Sequence, residues 1–239
     1  MSVKFFLITL DSRREISERN AALINDVIGE AVILSGYDPS LISVQEFNEY
    51  SGKFHARYGV KPLLNQLACL RAHRNAMLEF LKTSDNFCVI GEDDFRLLDT
   101  NRIVEELEIY VPNSGQVINF GGFQGLPVEK MRVMDSEGIV PASKLRFIHM
   151  MALYCIDREF AEKYVMNIEG LGLNNDDWHG LNAEAMYRSL KLVPTIFHGE
   201  EKSILDPKSD RGYQTSLLDL KIIAFNLLNP RLHTPHVMG

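Results

Sequence analysis

Positive charge is in short supply in this sequence: 25 lysines and arginines face 32 aspartates and glutamates, a formal net charge of -7. That balance excludes a general nucleic-acid binder, whose phosphate contacts need a basic field. Cysteine is scarce too. Cys69, Cys88 and Cys155 lie far apart, each in an apolar run and with no metal-type spacing between them, so they read as reduced core residues. Long hydrophobic runs are missing. The N-terminal run Phe5 to Leu10 stops at Asp11 and two arginines, too short for a signal-peptide core or a membrane span, and nothing else reaches spanning length. A cytosol-like compartment is expected. No glycine occurs from 11 to 16, which argues against the glycine-rich phosphate loop that a nucleotidyltransferase carries after its first strand.

What is present is a globular chain. Its 239 residues are 46% hydrophobic, enough for one large core and too apolar for disorder. Val3 to Leu10 is a β-rich apolar run, suited to a central parallel strand. Asp11 to Arg14 follows as a loop, and Ser17 is placed to cap a helix carrying Arg19, Leu23, Ile24, Val27 and Ile28. Ala31 to Ser35 reads as a second strand, ended by the turn residues 36–40. Residues 41–62 show no clean period and are expected to be irregular or weakly helical. Leu63 to Lys82 repeats apolar residues at helical spacing and leads into the run Phe87 to Gly91, a buried strand. A helix over Asn101 to Tyr110, a strand from Gln116 to Gly122, an unpatterned stretch at 123–145 and a strand from Phe147 to Ile156 come next. Asp157 starts a helix, Leu192 to His198 is a last strand, and Leu217 to Leu228 a short apolar helix. Strands alternating with helices predict an α/β fold around a mostly parallel sheet. The expected organisation is a single domain over 1–214, with a C-terminal helix and tail, 215–239, packed on it.

Chemistry concentrates at three acids, Glu92-Asp93-Asp94, which directly follow the apolar strand. Ligands of open α/β sheets bind outside the carboxyl ends of strands, so acids there are in the right place for a site. Alternation along an extended chain sends Glu92 and Asp94 one way and Asp93 the other. Two hard oxygen ligands at that spacing suit Mg²⁺ or Mn²⁺; a solvated acidic turn is the plain alternative. A second concentration is Asn175-Asp176-Asp177-Trp178. An acid opening a helix is stabilised as its anion, which fits a helix cap and equally a general base. Trp178 either stacks on a sugar face or fills the core. His73, on an apolar helix, reads as a hydrogen-bonded core residue or as part of a site. His198 at a strand end is either a third metal ligand or an ordinary surface histidine.

Four stretches in this order resemble glycosyltransferase family 25, the lipooligosaccharide-type β-galactosyltransferases. Leu7-Ile8-Thr9-Leu10-Asp11-Ser12-Arg13 with Arg19 is similar to the family's strand and arginine-bearing loop. Ala68-Cys69-Leu70-Arg71-Ala72-His73 is similar to its Gly-Cys-x-x-Ser-His motif, Val89-Ile90-Gly91-Glu92-Asp93-Asp94 to its strand ending in Glu-Asp-Asp, and Asn175-Asp176-Asp177-Trp178 to its late Asp-Trp element. Ala68 and Ala72 depart from the family's glycine and serine. The resemblance implies a GT-A-like, Rossmann-like nucleotide-sugar transferase fold. It also implies an inverting, metal-dependent transfer of a hexose, commonly galactose, from a UDP-sugar to a glycan or glycolipid acceptor, as in lipooligosaccharide or other surface-glycan synthesis.

On this resemblance Leu10, Asp11, Arg13, Arg19, His73 and Asp93 belong to the donor pocket. Glu92 and Asp94 would hold Mn²⁺ or Mg²⁺, with His198, from its place at a strand end rather than from the resemblance, the candidate third ligand; Asp177, with Asp176 in reserve, would be the base. A cytoplasmic enzyme working at the inner face of a membrane would suit such an acceptor; no nucleic-acid partner is expected. The rival classes are a nucleotide-sugar-binding module without turnover and a sugar nucleotidyltransferase.

Overall fold

The computed structural model describes residues 3–93, 95–121, 134–148 and 151–198, the side chains at 146, 147, 197 and 198 apart. Asp94 and the expected C-terminal helix and tail (215–239) lie outside the described residues. The chain is a three-layer α/β structure. Its sheet of seven strands has the order β2-β1-β3-β7-β5-β8-β6, formed by β1 (Lys4–Thr9), β2 (Glu30–Ser35), β3 (Phe87–Glu92), β5 (Gln116–Asn119), β6 (Ile139–Val140), β7 (Leu153–Asp157) and β8 (Ser189–Leu192). Ladders β1–β2, β1–β3 and β5–β8 are parallel, and those of β7 with β3 and β5 and of β6 with β8 are antiparallel. Five of the seven strands therefore run in one direction, and β7 and β6 run against them. A separate antiparallel pair joins β4 (Phe95–Leu97) to β9 (Ile196–His198).

Alternation along β1 and β3 divides the core. Phe5, Leu7, Phe87 and Val89 pack with Ile24 and Ile28 of the α1 region (Arg14–Val27) and with Ile103 and Leu107 of α4 (Thr100–Glu108). Phe6, Ile8, Cys88 and Ile90 face the other side, against α2 (Val44–Tyr58), α3 (Leu64–Leu81), α5 (Arg158–Leu171) and α6 (Trp178–Ala183). Each large side chain buried here contributes about 1.5–3 kcal/mol. All three cysteines are free thiols, with Cys88 and Cys155 buried in the sheet. No helix among the described residues is long and apolar enough to cross a membrane.

Several elements differ from the sequence expectations. The first helix begins at Arg14, after a short 3-10 turn at Asp11–Arg13, so Ser17 lies inside the helix, buried, and caps nothing. The segment 41–62 holds a regular 15-residue helix, α2. Its start is a capping box: the Ser43 hydroxyl accepts from the Glu46 N–H, and the Glu46 carboxylate accepts from the Ser43 N–H. Its end is Gly59, at φ 69°, the left-handed conformation that glycine adopts without cost. The run Leu192 to His198 divides into the end of β8 and the separate β9, with Val193, Pro194 and Thr195 between them.

Candidate active site at one edge of the sheet

The carboxyl ends of β1 and β3, the amino end of β7 and the loop 174–177 meet at one edge. Glu92 and Asp93 diverge there as strand alternation requires. Asp93 turns to the α1 side, where it is buried. Its Oδ2 accepts from Thr9 Oγ1 (2.9 Å) and the Leu10 N–H (3.2 Å), and its Oδ1 pairs with Arg13 Nη1 at 3.3 Å. Asn20 donates from α1 to the backbone carbonyls of Asp93 and Phe95. Asp93, Leu10 and Arg13, all expected around a donor, thus form one knot tying the loop after β1 to the end of β3. Asp11 and Arg19 are exposed on the same segment.

Glu92 turns to the α3 side. Its Oε1 lies 3.1 Å from His73 Nε2 and 3.6 Å from Cys69 Sγ. His73 is fully buried, and its Nδ1 lies 2.8 Å from the Tyr154 hydroxyl. Burial pushes the Tyr154 hydroxyl well above its ordinary pKa, so the phenol stays protonated as a hydrogen-bonding group. With that hydroxyl donating to Nδ1, Nε2–H donates to Glu92, and the glutamate is oriented by a chain reaching back into the core. Its side chain keeps 29% of its exposure. Cys69, His73 and Glu92 together are a group able to hold a metal ion, their ligand atoms all within 4.8 Å of one another. The pairing of β9 with β4 puts His198 opposite Phe95, one residue beyond Asp94.

The loop 174–177 rests on tyrosines. Tyr50 donates to the Leu173 carbonyl, Tyr164 to Asn175 Oδ1, and Tyr58 to Asp177 Oδ2 at 2.6 Å while accepting from the Asn174 N–H. Burial pushes the Tyr58 and Tyr164 hydroxyls far above their ordinary pKa, with the Asp177 charge adding to the shift at Tyr58. Asp177 is 1% exposed, and its Oδ1 caps α6 by accepting from the Gly180 N–H at 2.9 Å. Gly180 leaves room for this: a Cβ there would sit 2.5 Å from Asp177 Oδ2. Both oxygens of Asp177 are therefore engaged inside the protein. Asp176 is half-buried, and its Oδ1 accepts from the Met151 N–H at 3.0 Å. The next residue, Ala152, accepts from the Glu92 N–H, so Glu92 and Asp176 are fastened to adjacent residues leading into β7. Trp178 is fully buried, edge-on to Tyr154 and Tyr187; it belongs to the core and offers no face to a sugar.

No family model matches this chain, and no curated protein matches it. Among solved structures the similarity is distant. A glycosyltransferase involved in glycosylation of the major capsid of PBCV-1 is 7% identical with a TM-score of 0.42, over 91% of this chain and 99% of that one. Glucosyl-3-phosphoglycerate synthase from Mycobacterium tuberculosis, in complex with Mn²⁺, UDP-glucose and phosphoglyceric acid, is 12% identical with a TM-score of 0.44, over 99% and 81%. The inositol-1-phosphate CTP transferase from T. maritima is 10% identical with a TM-score of 0.40, over 92% and 96%. At identities of 7–12% and TM-scores below 0.5 these likenesses carry no argument, and the chemistry has to come from the residues of the edge themselves.

Sequence reasoning missed the tyrosines and the partnership of Cys69 with Glu92. A signal existed for both. Tyr50, Phe54 and Tyr58 are spaced as one helix face, and Cys69 and His73 are four apart, so they share a face of α3.

Proposed function

We propose that the chain is a nucleotide-sugar-dependent glycosyltransferase that moves a hexose, galactose in the first instance, from a UDP-sugar to a hydroxyl of a glycan or glycolipid. The observation carrying this reading is the meeting, at the carboxyl edge of the sheet, of two half-buried carboxylates distant in sequence, Glu92 and Asp176, each beside a buried acid that anchors the backbone. Inverting transfer needs two such groups. One sits by the leaving diphosphate, and the other takes the proton of the acceptor hydroxyl from the opposite side of the sugar.

Asp176 is the base in this reading, and Asp177 its anchor. Asp177 is enclosed, with one oxygen on Tyr58 and the other on Gly180, while Asp176 keeps surface exposure at the edge. The Met151 N–H holds one oxygen of Asp176, which fixes the carboxylate before an acceptor arrives and lowers the cost of orienting it. On the other side, His73 and Tyr154 hold Glu92 toward the diphosphate position. The Asp93 knot keeps Leu10, Asp11 and Arg13 where a donor nucleotide would lie at the end of β1.

Glu92 fits a divalent ion: it is an oxygen donor at a strand end, partly exposed, with its orientation already set. Glu92 with Asp94, and His198 as a third donor, would hold it. A bound Mn²⁺ or Mg²⁺ supplies Lewis-acid neutralisation of the charge that grows on the departing diphosphate.

A donor panel tests the proposal. Purified protein is incubated with UDP-galactose, UDP-glucose or UDP-N-acetylglucosamine and Mn²⁺, and released UDP is measured against CTP or UTP offered with a sugar phosphate. Slow release of UDP from a UDP-hexose, faster with an acceptor glycan, is expected. Release of pyrophosphate from the nucleoside triphosphates would replace this reading with nucleotidyl transfer, and no turnover of any donor would leave a binding module.

A further inference from the structure

Cys69, His73 and Glu92 bring sulfur, nitrogen and oxygen donors to one point beside the proposed site. We infer that these three side chains bind a thiophilic divalent ion of the zinc class, a donor set that departs from the all-oxygen cage a magnesium ion prefers. The inference shares Glu92 with the proposed function but does not depend on glycosyl transfer.

Spacing, distance and support point the same way. Cys69 and His73 occupy successive turns of one face of α3, the i, i+4 arrangement that lets one helix offer two ligands, and Glu92 faces them from β3. A tetrahedral zinc ion with bonds of about 2.3 Å to sulfur and about 2.0–2.2 Å to nitrogen and oxygen spaces its ligands about 3.3–3.6 Å apart. The Cys69–Glu92 separation is 3.6 Å, and the His73–Glu92 separation of 3.1 Å needs to open by only a few tenths. All three ligand atoms already lie within 4.8 Å of one another.

The outer shell is that of a ligating histidine. Nδ1 of His73 is held by the Tyr154 hydroxyl, which fixes the ring with Nε2 toward the cluster, as partners on the remote nitrogen do in metal sites. Asn175 Nδ2, 3.9 Å from Cys69 Sγ, presents a donor to a thiolate. Binding replaces hydrogens: the Cys69 thiol proton leaves, and Nε2 gives up its proton as the ring shifts to the Nδ1–H tautomer, now donating to the Tyr154 oxygen. Among the described residues the set has three protein ligands, two of them, Cys69 and Glu92, partly exposed, whereas a closed structural zinc site has four.

Cobalt is the probe. Full-length protein stripped with chelator is titrated with Co²⁺ and then Zn²⁺, with no donor or acceptor present, and folding of every variant is checked by circular dichroism. One equivalent of Co²⁺ should produce a thiolate-to-cobalt charge-transfer band and tetrahedral visible bands, both removed by Zn²⁺. Cys69→Ser should lose the charge-transfer band while staying folded. Tyr154→Phe should weaken Zn²⁺ binding by about 10-fold to 100-fold, the usual effect of losing an outer-shell partner. Absence of the band in folded wild-type protein, or the same band in Cys69→Ser, overturns the inference. Because the readout is spectroscopic, loss of the band with UDP release intact sinks this site alone, and the band without UDP release sinks only the glycosyltransferase reading.

Discussion

The acid pair at the end of β3 and the acid pair before α6 share a plan and differ in what secures it. Asp93 is held by a guanidinium as well as by neutral donors, whereas Asp177 is held by neutral donors alone, a phenol and a backbone N–H. In both pairs the buried acid fixes the chain, and the neighbour, Glu92 or Asp176, is presented at the sheet edge. A charge held by a charge loses an ion pair as well as hydrogen bonds when one partner is neutralised. A carboxylate held by neutral donors leaves only hydrogen bonds to be rearranged. The two anchors should therefore fail by different amounts under the same substitution.

Asp93→Asn should show the largest loss. It removes the carboxylate charge facing Arg13 at 3.3 Å and weakens the contacts from Thr9 and Leu10, and about 3 kcal/mol of stability should go, the upper end for hydrogen bonds to a charged group. Urea unfolding reads this as a lower midpoint with an unchanged slope; a loss equal to that of Asp177→Asn would remove the distinction between the anchors. Asp177→Asn keeps one acceptor oxygen and should cost about 1–2 kcal/mol, a weakened cap plus a weakened phenol contact, with sugar transfer lowered only a few-fold. Tyr58→Phe takes away the donor to Asp177 and the acceptor for the Asn174 N–H, and a loss of about 1 kcal/mol is expected.

The smallest effect should come from a surface carboxylate. Hydrogen bonds from Ser43, with Arg71 adding to them, hold Glu46 down to about 2 from its ordinary 4.5. A depressed folded pKa stabilises the protein above the unfolded value and ceases to as pH falls through the folded one. The gap in melting temperature between wild type and Glu46→Gln should thus be full at pH 7, shrink below about 4.5 and close near 2. A gap that widens in acid would contradict this assignment.

How much of this was legible in the sequence varied with the kind of signal. β1, β3 and α3 stood out because their apolar residues keep one period, and the acids after β3 stood out because a buried strand rarely ends in three carboxylates. The helix α2 was obscured by its buried face, carried by Tyr50, Phe54 and Tyr58 among polar residues, although Ser43, Glu46 and Gly59 mark both of its ends. The strand β8 was hidden because Ser189 and Lys191 interrupt its apolar residues. The direction of β7 depends on its partners, β3 and β5, and no residue of β7 announces it. Which of two adjacent aspartates is enclosed was equally out of reach: Tyr58, which accounts for Asp177, lies 119 residues away in the chain. The opposite orientation of Glu92 and Asp93, by contrast, follows from strand alternation alone.

The central claim is that the half-buried acids of the two pairs act on a UDP-sugar while the buried ones hold the frame. The most direct test is UDP release from UDP-galactose, with Mn²⁺ present, by wild type, Asp176→Asn and Asp177→Asn at matched folded concentration. The account predicts slow release by wild type, a fall on the order of 100-fold in Asp176→Asn, the usual worth of a positioned base, and a fall of only a few-fold in Asp177→Asn. Undiminished release by Asp176→Asn, or a collapse confined to Asp177→Asn, would contradict it.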